Sequence, residues 1–445
     1  MNSKIIVVPH THWDREWYLP FQKFRMKLVR LIDELLDILN EYDYHFMLDG
    51  QTILIEDYLE IRPEKQEELL RRIREGKISV GPWYLLPDEW LVGAESLVRN
   101  LEYSNSLAKR LKIPLMDIAY LPDQFGHSSA IPQILFDLTN LRITTLWRGV
   151  PTNIVTVPFS WKSHSSSKAS VRGIYLPGGY GNFAILPDDF DSFANLVNDN
   201  ITELEPFSPV PVYLLMNGSD HRFPQSYAIE YIDKMKKDGF DISIGSLSDY
   251  SFHLEEAITQ EKHTPQIHEG EFRSPARAPL LQDTYSARMW IKIWNQRIED
   301  LLTMKVEPIS SFLWFYLDRP YPSGFLETAW KWLLKNHPHD SICGCSVDQT
   351  HDEMKSRFSW AESIGESVLD DSAASIQKSA VPSETSSVIV FNASGTTRSP
   401  VYFEFSYPKE KRIGGIKTPD GTVFEVQPVT SKEDIFMEAT VGLTM

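Results

Sequence analysis

A chain of 445 residues exceeds what one hydrophobic core usually holds, so two or three domains are expected. Its 44 basic and 61 acidic residues leave a net charge of −17, which disfavours a general nucleic-acid or anionic-membrane binder and suits a neutral or cationic ligand. The two cysteines, Cys343 and Cys345, cannot build a disulfide framework, and no apolar run reaches the length of a membrane helix, so a reducing cytoplasm is the expected setting.

Met1 to Lys4 lead into four apolar residues, Ile5 to Val8, before Pro9 and His10, too short a run for a signal-peptide core. From there to about residue 255, apolar strands alternate with amphipathic helices, the pattern of an α/β domain with parallel strands. Ile5 to Val8 reads as a buried strand that ends in the polar cluster His10 to Trp17. Leu28, Leu31, Ile32, Leu35, Leu36 and Leu39 share one face of the first helix. His45 to Leu48 and Ile78 to Val80 are the next strands, followed by a helix over Ala94 to Leu111. Ile118 to Leu121 runs into Pro122 and Asp123, and Thr144 to Trp147 runs into Arg148. Val212 to Met216 leads to Asn217-Gly218-Ser219-Asp220-His221, and Ile242 to Ile244 ends at Gly245. Polar or glycine residues at the carboxyl ends of all seven strands suggest a β/α barrel-like catalytic domain over 1–255.

A polar helical linker covers Glu255 to Thr264. Leu281 to Met304, Phe325 to Leu334 and Asp352 to Ser379 read as helices of a helical-bundle domain, 256–381, with Phe312 to Tyr316 its one candidate strand. After a Pro/Ser linker, Ser387 to Asn392 opens an all-β pattern, an incomplete β-rich segment over 382–445. Ser163 to Ser167 is a short polar loop.

Several residues have chemistry to offer. His12 and Asp14 form a His-x-Asp pair suited to zinc, with His10 an equal candidate on spacing and ordinary loop polarity the bland reading. Asp123 and Asp220 follow strands and supply the two carboxylates that glycoside cleavage needs, although Asp also caps helices there. His337, His339 and Asp340 lie at a helix end, where histidine often pairs with the helix dipole, but Pro338 fixes a turn that suits positioning. Cys343 and Cys345 read as packing rather than as a metal pair. Trp17, Trp83 and Trp147 offer faces for a sugar, with packing the default, and Arg148 needs an anionic partner such as a catalytic carboxylate.

The set of motifs resembles glycoside hydrolase family 38, the retaining α-mannosidases. The matching pieces are Pro9-His-Thr-His-Trp-Asp-Arg-Glu-Trp17, Leu121-Pro-Asp-Gln-Phe-Gly-His127, Asn217-Gly-Ser-Asp-His221 and Asn336-His-Pro-His-Asp-Ser341. The form is similar to the bacterial cytoplasmic branch, which includes mannosylglycerate-hydrolase-like members. The resemblance implies one zinc per chain, held by His12, Asp14, Asp123 and His339. It also implies Asp123 as nucleophile, Asp220 as general acid, and Trp17, Arg148 and Asp340 as substrate contacts. The expected function is hydrolysis of terminal α-linked mannose from an oligosaccharide or glycoconjugate, without nucleic-acid or membrane partners. A zinc-dependent carbohydrate deacetylase and an inactive glycan-binding fragment are the rival readings. Relatives continue through large β domains, so one of two outcomes is expected: a second copy of the chain or a separate C-terminal β-domain chain covers the surface they would pack on, or the isolated chain is weakly soluble and nearly inactive.

Overall fold

The computed structural model describes residues 3–164, 168–380, 391–392, 401–408, 416–417, 421–424, 427–432 and 436–443. The chain divides into two compact units, Met1–Glu299 with Ser323–Gly365 and Asp300–Pro322 with Glu366–Met445. The helical stretch 256–381 therefore contributes to both.

The first unit holds the strands β1 (Lys4–Pro9), β2 (Phe46–Met47), β3 (Ile78–Ser79), β4 (Ile118–Leu121) and β5 (Ile143–Leu146). It continues with β6 (Phe159–Lys162), β7 (Ser170–Tyr175), β8 (Val212–Asn217), β9 (Asp241–Ile244) and β10 (Ile267–Glu269). Among the described residues they form three sheets, ordered β8-β1-β9, β10-β6-β7-β5-β4 and β2-β3, rather than one closed ring. All seven apolar runs read from the sequence lie in or overlap strands of these sheets. The β6–β7 pair was not legible: it is antiparallel, because the connection around Ser163 is too short for a parallel crossover. Its strands alternate buried and partly exposed residues instead of forming a continuous apolar run.

The helices of this unit explain why the central parallel strands β1, β4 and β8 are buried on both faces. They are α1 (Phe21–Glu41), α2 (Ile53–Leu59), α3 (Gln66–Arg74), α4 (Ala94–Leu111), α5 (Ile131–Leu138), α6 (Phe190–Leu204), α7 (Ala228–Lys237) and α8 (Leu247–Gln260). In β1, Ile6 and Val8 join one apolar cluster and Ile5 and Val7 another, so each face of the strand is covered. The leucine stripe of α1 is buried as its spacing requires. Ser246 and Asp249 close a capping box that starts α8.

Further along lie α9 (Met289–Asp300), α10 (Glu307–Leu317), α11 (Ser323–Leu334), the one-turn α12 (His339–Ile342) and α13 (Asp348–Ala380). The candidate strand Phe312 to Tyr316 is helical and lies in α10. Its aromatic run favours a strand by propensity, but Ile309, Ser310 and Leu313 are buried at helical spacing, and that packing decides. In the second unit, residues 401–443 contain antiparallel strands: Val401–Pro408, Phe436–Leu443 and Gln427–Lys432 in one sheet, and Ile416–Lys417 with Val423–Phe424 in another. Of the expected opening strand, Ser387 to Asn392, residues 387–390 lie outside the described residues, and Phe391 and Asn392 are not in a strand. No described helix is long and apolar enough to cross a membrane.

Candidate metal and catalytic site

Strand register brings the first set of polar residues together. β1 and β8 run parallel with Pro9 opposite Asn217, and their extensions stay side by side. The His12 amide donates to the Ser219 carbonyl at 3.1 Å, and the His221 amide donates to the His12 carbonyl at 2.9 Å. His12 therefore lies opposite Asp220. Gly218 permits this approach, because a Cβ there would sit 1.9 Å from the His10 carbonyl oxygen. Gly218→Ala should destabilise the fold by about 1–3 kcal/mol or more, since backbone rather than a side-chain tip must yield. A thermal melt equal to that of the parent chain would contradict this.

The two histidines of His10-Thr11-His12 face different surroundings. Nε2 of His10 lies 2.7 Å from the Tyr180 carbonyl, and burial pulls the imidazole down to a pKa of about 4, so it is a neutral donor to that carbonyl. His12 points instead into an acidic cluster. Its Nε2 lies 3.2 Å from Asp14 Oδ1, and its Nδ1 lies 3.7 Å from Asp49 Oδ2. Burial lowers the His12 pKa, but the charges of Asp14 and Asp49 outweigh it and hold the pKa well above the ordinary value. Asp49 is fully buried and is fixed by the Trp13 amide (2.9 Å), the Gly50 amide (2.8 Å) and Gln51 Nε2 (2.8 Å).

His339 arrives from α12. The preceding residues are anchored within the same unit, where the Asp88 amide donates to the His337 carbonyl and His337 Nε2 donates to Asn295 Oδ1 at 2.7 Å. Nε2 of His339 lies 3.4 Å from both Asp14 Oδ1 and Asp123 Oδ2. Its ring stacks near that of His12, with centroids 5.5 Å apart. Burial opposes its charge, but Asp340, Asp123 and Asp14 raise its pKa to about 9.

The second register places Asp123. β4 and β5 pair with Leu121 opposite Leu146, so Asp123 and Arg148, each two residues further on, face one another. Arg148 Nε donates to Asp123 Oδ1 at 2.6 Å, while its Nη1 donates to the Pro279 carbonyl at 2.7 Å. Burial favours the neutral carboxyl, but His339 and Arg148 prevail and hold Asp123 below the usual carboxylate range. Asp123 is thus an anion with His339 on one oxygen and Arg148 on the other.

Tyr180 and Asp49 were not among the residues singled out from the sequence. Tyr180 lies on the turn Gly179–Gly181 after β7, and its hydroxyl donates to Asp220 Oδ1 at 2.8 Å. Its ring lies 5.1 Å from that of His12 and edge-on to Trp147. The available signal was the glycine-rich turn Gly178-Gly179-Tyr180-Gly181 at another strand end. Asp340 is buried beside His339, its Oδ2 3.8 Å from Nε2, and Cys345 Sγ donates to its Oδ1 at 3.1 Å. Burial, with the nearby charge of Asp14, raises the Asp340 pKa to about 8. Trp17 is half-buried against Tyr18, and its carbonyl accepts the Val347 amide at 2.9 Å, beside the loop that carries His339.

His12, Asp14 and His339 offer ligand atoms that all lie within 4.8 Å of one another. Both ring nitrogens of both histidines are buried without a hydrogen bond, which is costly unless something binds them. Four ligands at zinc bond lengths of about 2.0–2.1 Å sit about 3.3 Å from each other in a tetrahedron. The separations of 3.2 and 3.4 Å around Asp14 and His339 agree with that spacing. The donor set, imidazole with carboxylate, also suits zinc.

The α/β scaffold thus gathers His12, Asp14 and His339 with the carboxylates of Asp123 and Asp220, which follow parallel strands. The chain belongs to glycosyl hydrolase family 38: residues 2–271 match the family's N-terminal domain, and residues 280–376 match the α-mannosidase middle domain. A putative mannosylglycerate hydrolase of Halalkalibacterium halodurans is 35% identical over 382 residues, which cover 81% of this chain and 41% of that protein. Human alpha-mannosidase 2C1 is 23% identical over 382 residues, covering 34% of its own length. The crystal structure of an alpha-mannosidase from Enterococcus faecalis superposes with a TM-score of 0.88 at 28% identity, covering all of this chain and 54% of that one. The chain thus spans about half or less of the length of these relatives.

Proposed function

We propose that this chain carries the catalytic portion of a zinc-dependent retaining α-mannosidase that removes terminal α-linked mannose from an oligosaccharide or mannosyl conjugate. The observation that supports it most is the double engagement of Asp123, with Arg148 at 2.6 Å on one oxygen and His339 at 3.4 Å on the other. His12, Asp14 and His339, with Asp123, would hold the metal. Bound zinc supplies Lewis acidity toward the sugar hydroxyls. Asp123, kept ionised by His339 and Arg148, attacks the anomeric carbon as the bond to the leaving oxygen breaks. Asp220 gives that oxygen its proton, with Tyr180 holding the other carboxyl oxygen. Water then attacks the glycosyl–Asp123 ester, Asp220 takes its proton, and mannose leaves with retained configuration. Trp17, Arg148 and Asp340 are the candidate sugar contacts. The same reading includes one zinc per chain and, since Cys343 and Cys345 are free thiols, a reducing cytoplasmic setting.

The test is release of mannose from an aryl α-mannoside before and after treatment with a chelator. Turnover should fall at least about 100-fold on chelation and return with zinc, the range expected for losing the metal's charge stabilisation. Chelator-insensitive turnover would refute the metal role. Acetate release from an acetylated sugar, with no mannose release, would favour a deacetylase instead.

A further inference from the structure

We propose that Glu16 is a positioning residue that locks the two halves of the metal site together. The inference rests on the metal reading above and extends it, because Glu16 is not one of the proposed ligands. His12 and Asp14 come from the loop after β1, whereas His339 comes from α12 in a distant part of the sequence. Their relative placement must be fixed by something other than the chain between them.

The structure assigns that task to one carboxylate oxygen. Glu16 Oε1 accepts a hydrogen bond from Ser341 Oγ at 2.7 Å, across 325 sequence positions, and another from Arg357 Nη2 at 2.6 Å. Glu16 stands two residues beyond Asp14, and Ser341 stands two residues beyond His339. Arg357, from α13, also donates through Nη1 to the Lys335 carbonyl at 3.2 Å, ahead of the segment Asn336 to His339. The Glu16 side chain is fully buried, and that of Arg357 is 9% exposed. The neighbouring Arg15 grips Asp57 with two hydrogen bonds, at 2.7 and 2.9 Å, which ties the same loop to α2.

Burying a carboxylate and a guanidinium carries a desolvation cost, and apolar residues of similar size often serve stability as well or better. The pair is also not fully satisfied: Glu16 Oε2 and Arg357 Nε lack hydrogen-bond partners. What the arrangement supplies is direction. Two donors from two different segments converge on one acceptor that belongs to a third. Outer groups that orient metal ligands are commonly worth about 10–100-fold in metal affinity.

Zinc affinity of the full chain, measured by competition with a fluorescent zinc chelator, tests the lock without relying on turnover. Ser341→Ala removes one donor and no charge; it should weaken zinc binding about tenfold. The thermal midpoint of the zinc-free protein should meanwhile stay within about 2 °C of the parent. Glu16→Gln keeps an acceptor for Ser341 and should lose less affinity than Glu16→Ala, which should lose about 10–100-fold. Should the alanine variant fail to fold, Ser341→Ala and Glu16→Gln decide the matter. Both binding zinc within about twofold of the parent would overturn the lock. A parent chain that takes up no zinc, or a His339→Ala variant that binds it as tightly, would instead overturn the metal assignment and the lock with it.

Discussion

Asp123→Ala should lower turnover of every α-mannoside by about 10⁴-fold or more, whatever the leaving group, because no other group can form the covalent intermediate. The geometry explains why no neighbour substitutes. The carboxylate is held from both sides, by Arg148 at 2.6 Å and by His339 at 3.4 Å, at a strand end whose register with β5 fixes its position. Arg148 keeps its second bond, to the Pro279 carbonyl at 2.7 Å, so truncation of Asp123 leaves it anchored. The variant should therefore fold, with a lowered melting temperature because the half-buried Arg148 guanidinium loses its anionic partner. Added azide, small enough to enter the space of the lost carboxylate, should restore part of the rate on an activated aryl mannoside and give a mannosyl azide of inverted configuration. Activity above about one per cent of the parent without azide would remove Asp123 from the nucleophile's role.

Ile5 to Val8, Ile118 to Leu121 and Val212 to Met216 were legible as strands because they are buried on both faces and must be continuously apolar. The polar residues after them were legible for the same reason, as abrupt changes of character at strand ends. Register was not legible. Spacing left His10 and His12 equivalent; what separates them is that His10 meets the Tyr180 carbonyl while His12 meets Asp14 and Asp49. Tyr180 is not legible, because β7 alternates buried and partly exposed residues around Arg172, which hides the strand that delivers it. Glu16 stood in the central motif, yet its partners Ser341 and Arg357 lie more than 300 positions away and no local pattern points to them. Phe312 to Tyr316 failed in the other direction: aromatic propensity suggested a strand, and the buried Ile309 and Leu313 put the segment on a helix.

Asp220→Ala should divide substrates by leaving group. A poor leaving group, such as the alcohol of a natural mannoside, departs only with a proton, and loss of the acid should cost about 10²–10⁴-fold. A dinitrophenolate needs little protonation, so glycosyl transfer to Asp123 should slow by less than about tenfold. The return of the sugar to water still needs a base. With activated substrates, hydrolysis of the intermediate should therefore become the slow step, visible as a burst of phenolate in pre-steady-state traces. Tyr180 is the control for this assignment, because its hydroxyl donates to Asp220 Oδ1 at 2.8 Å. Tyr180→Phe should weaken turnover of the poor substrate more than that of the activated one, in the same direction as Asp220→Ala and by a smaller factor. Equal losses on both substrates for Asp220→Ala would show that the residue serves the site through structure or binding, and the proton would then have to come from another group.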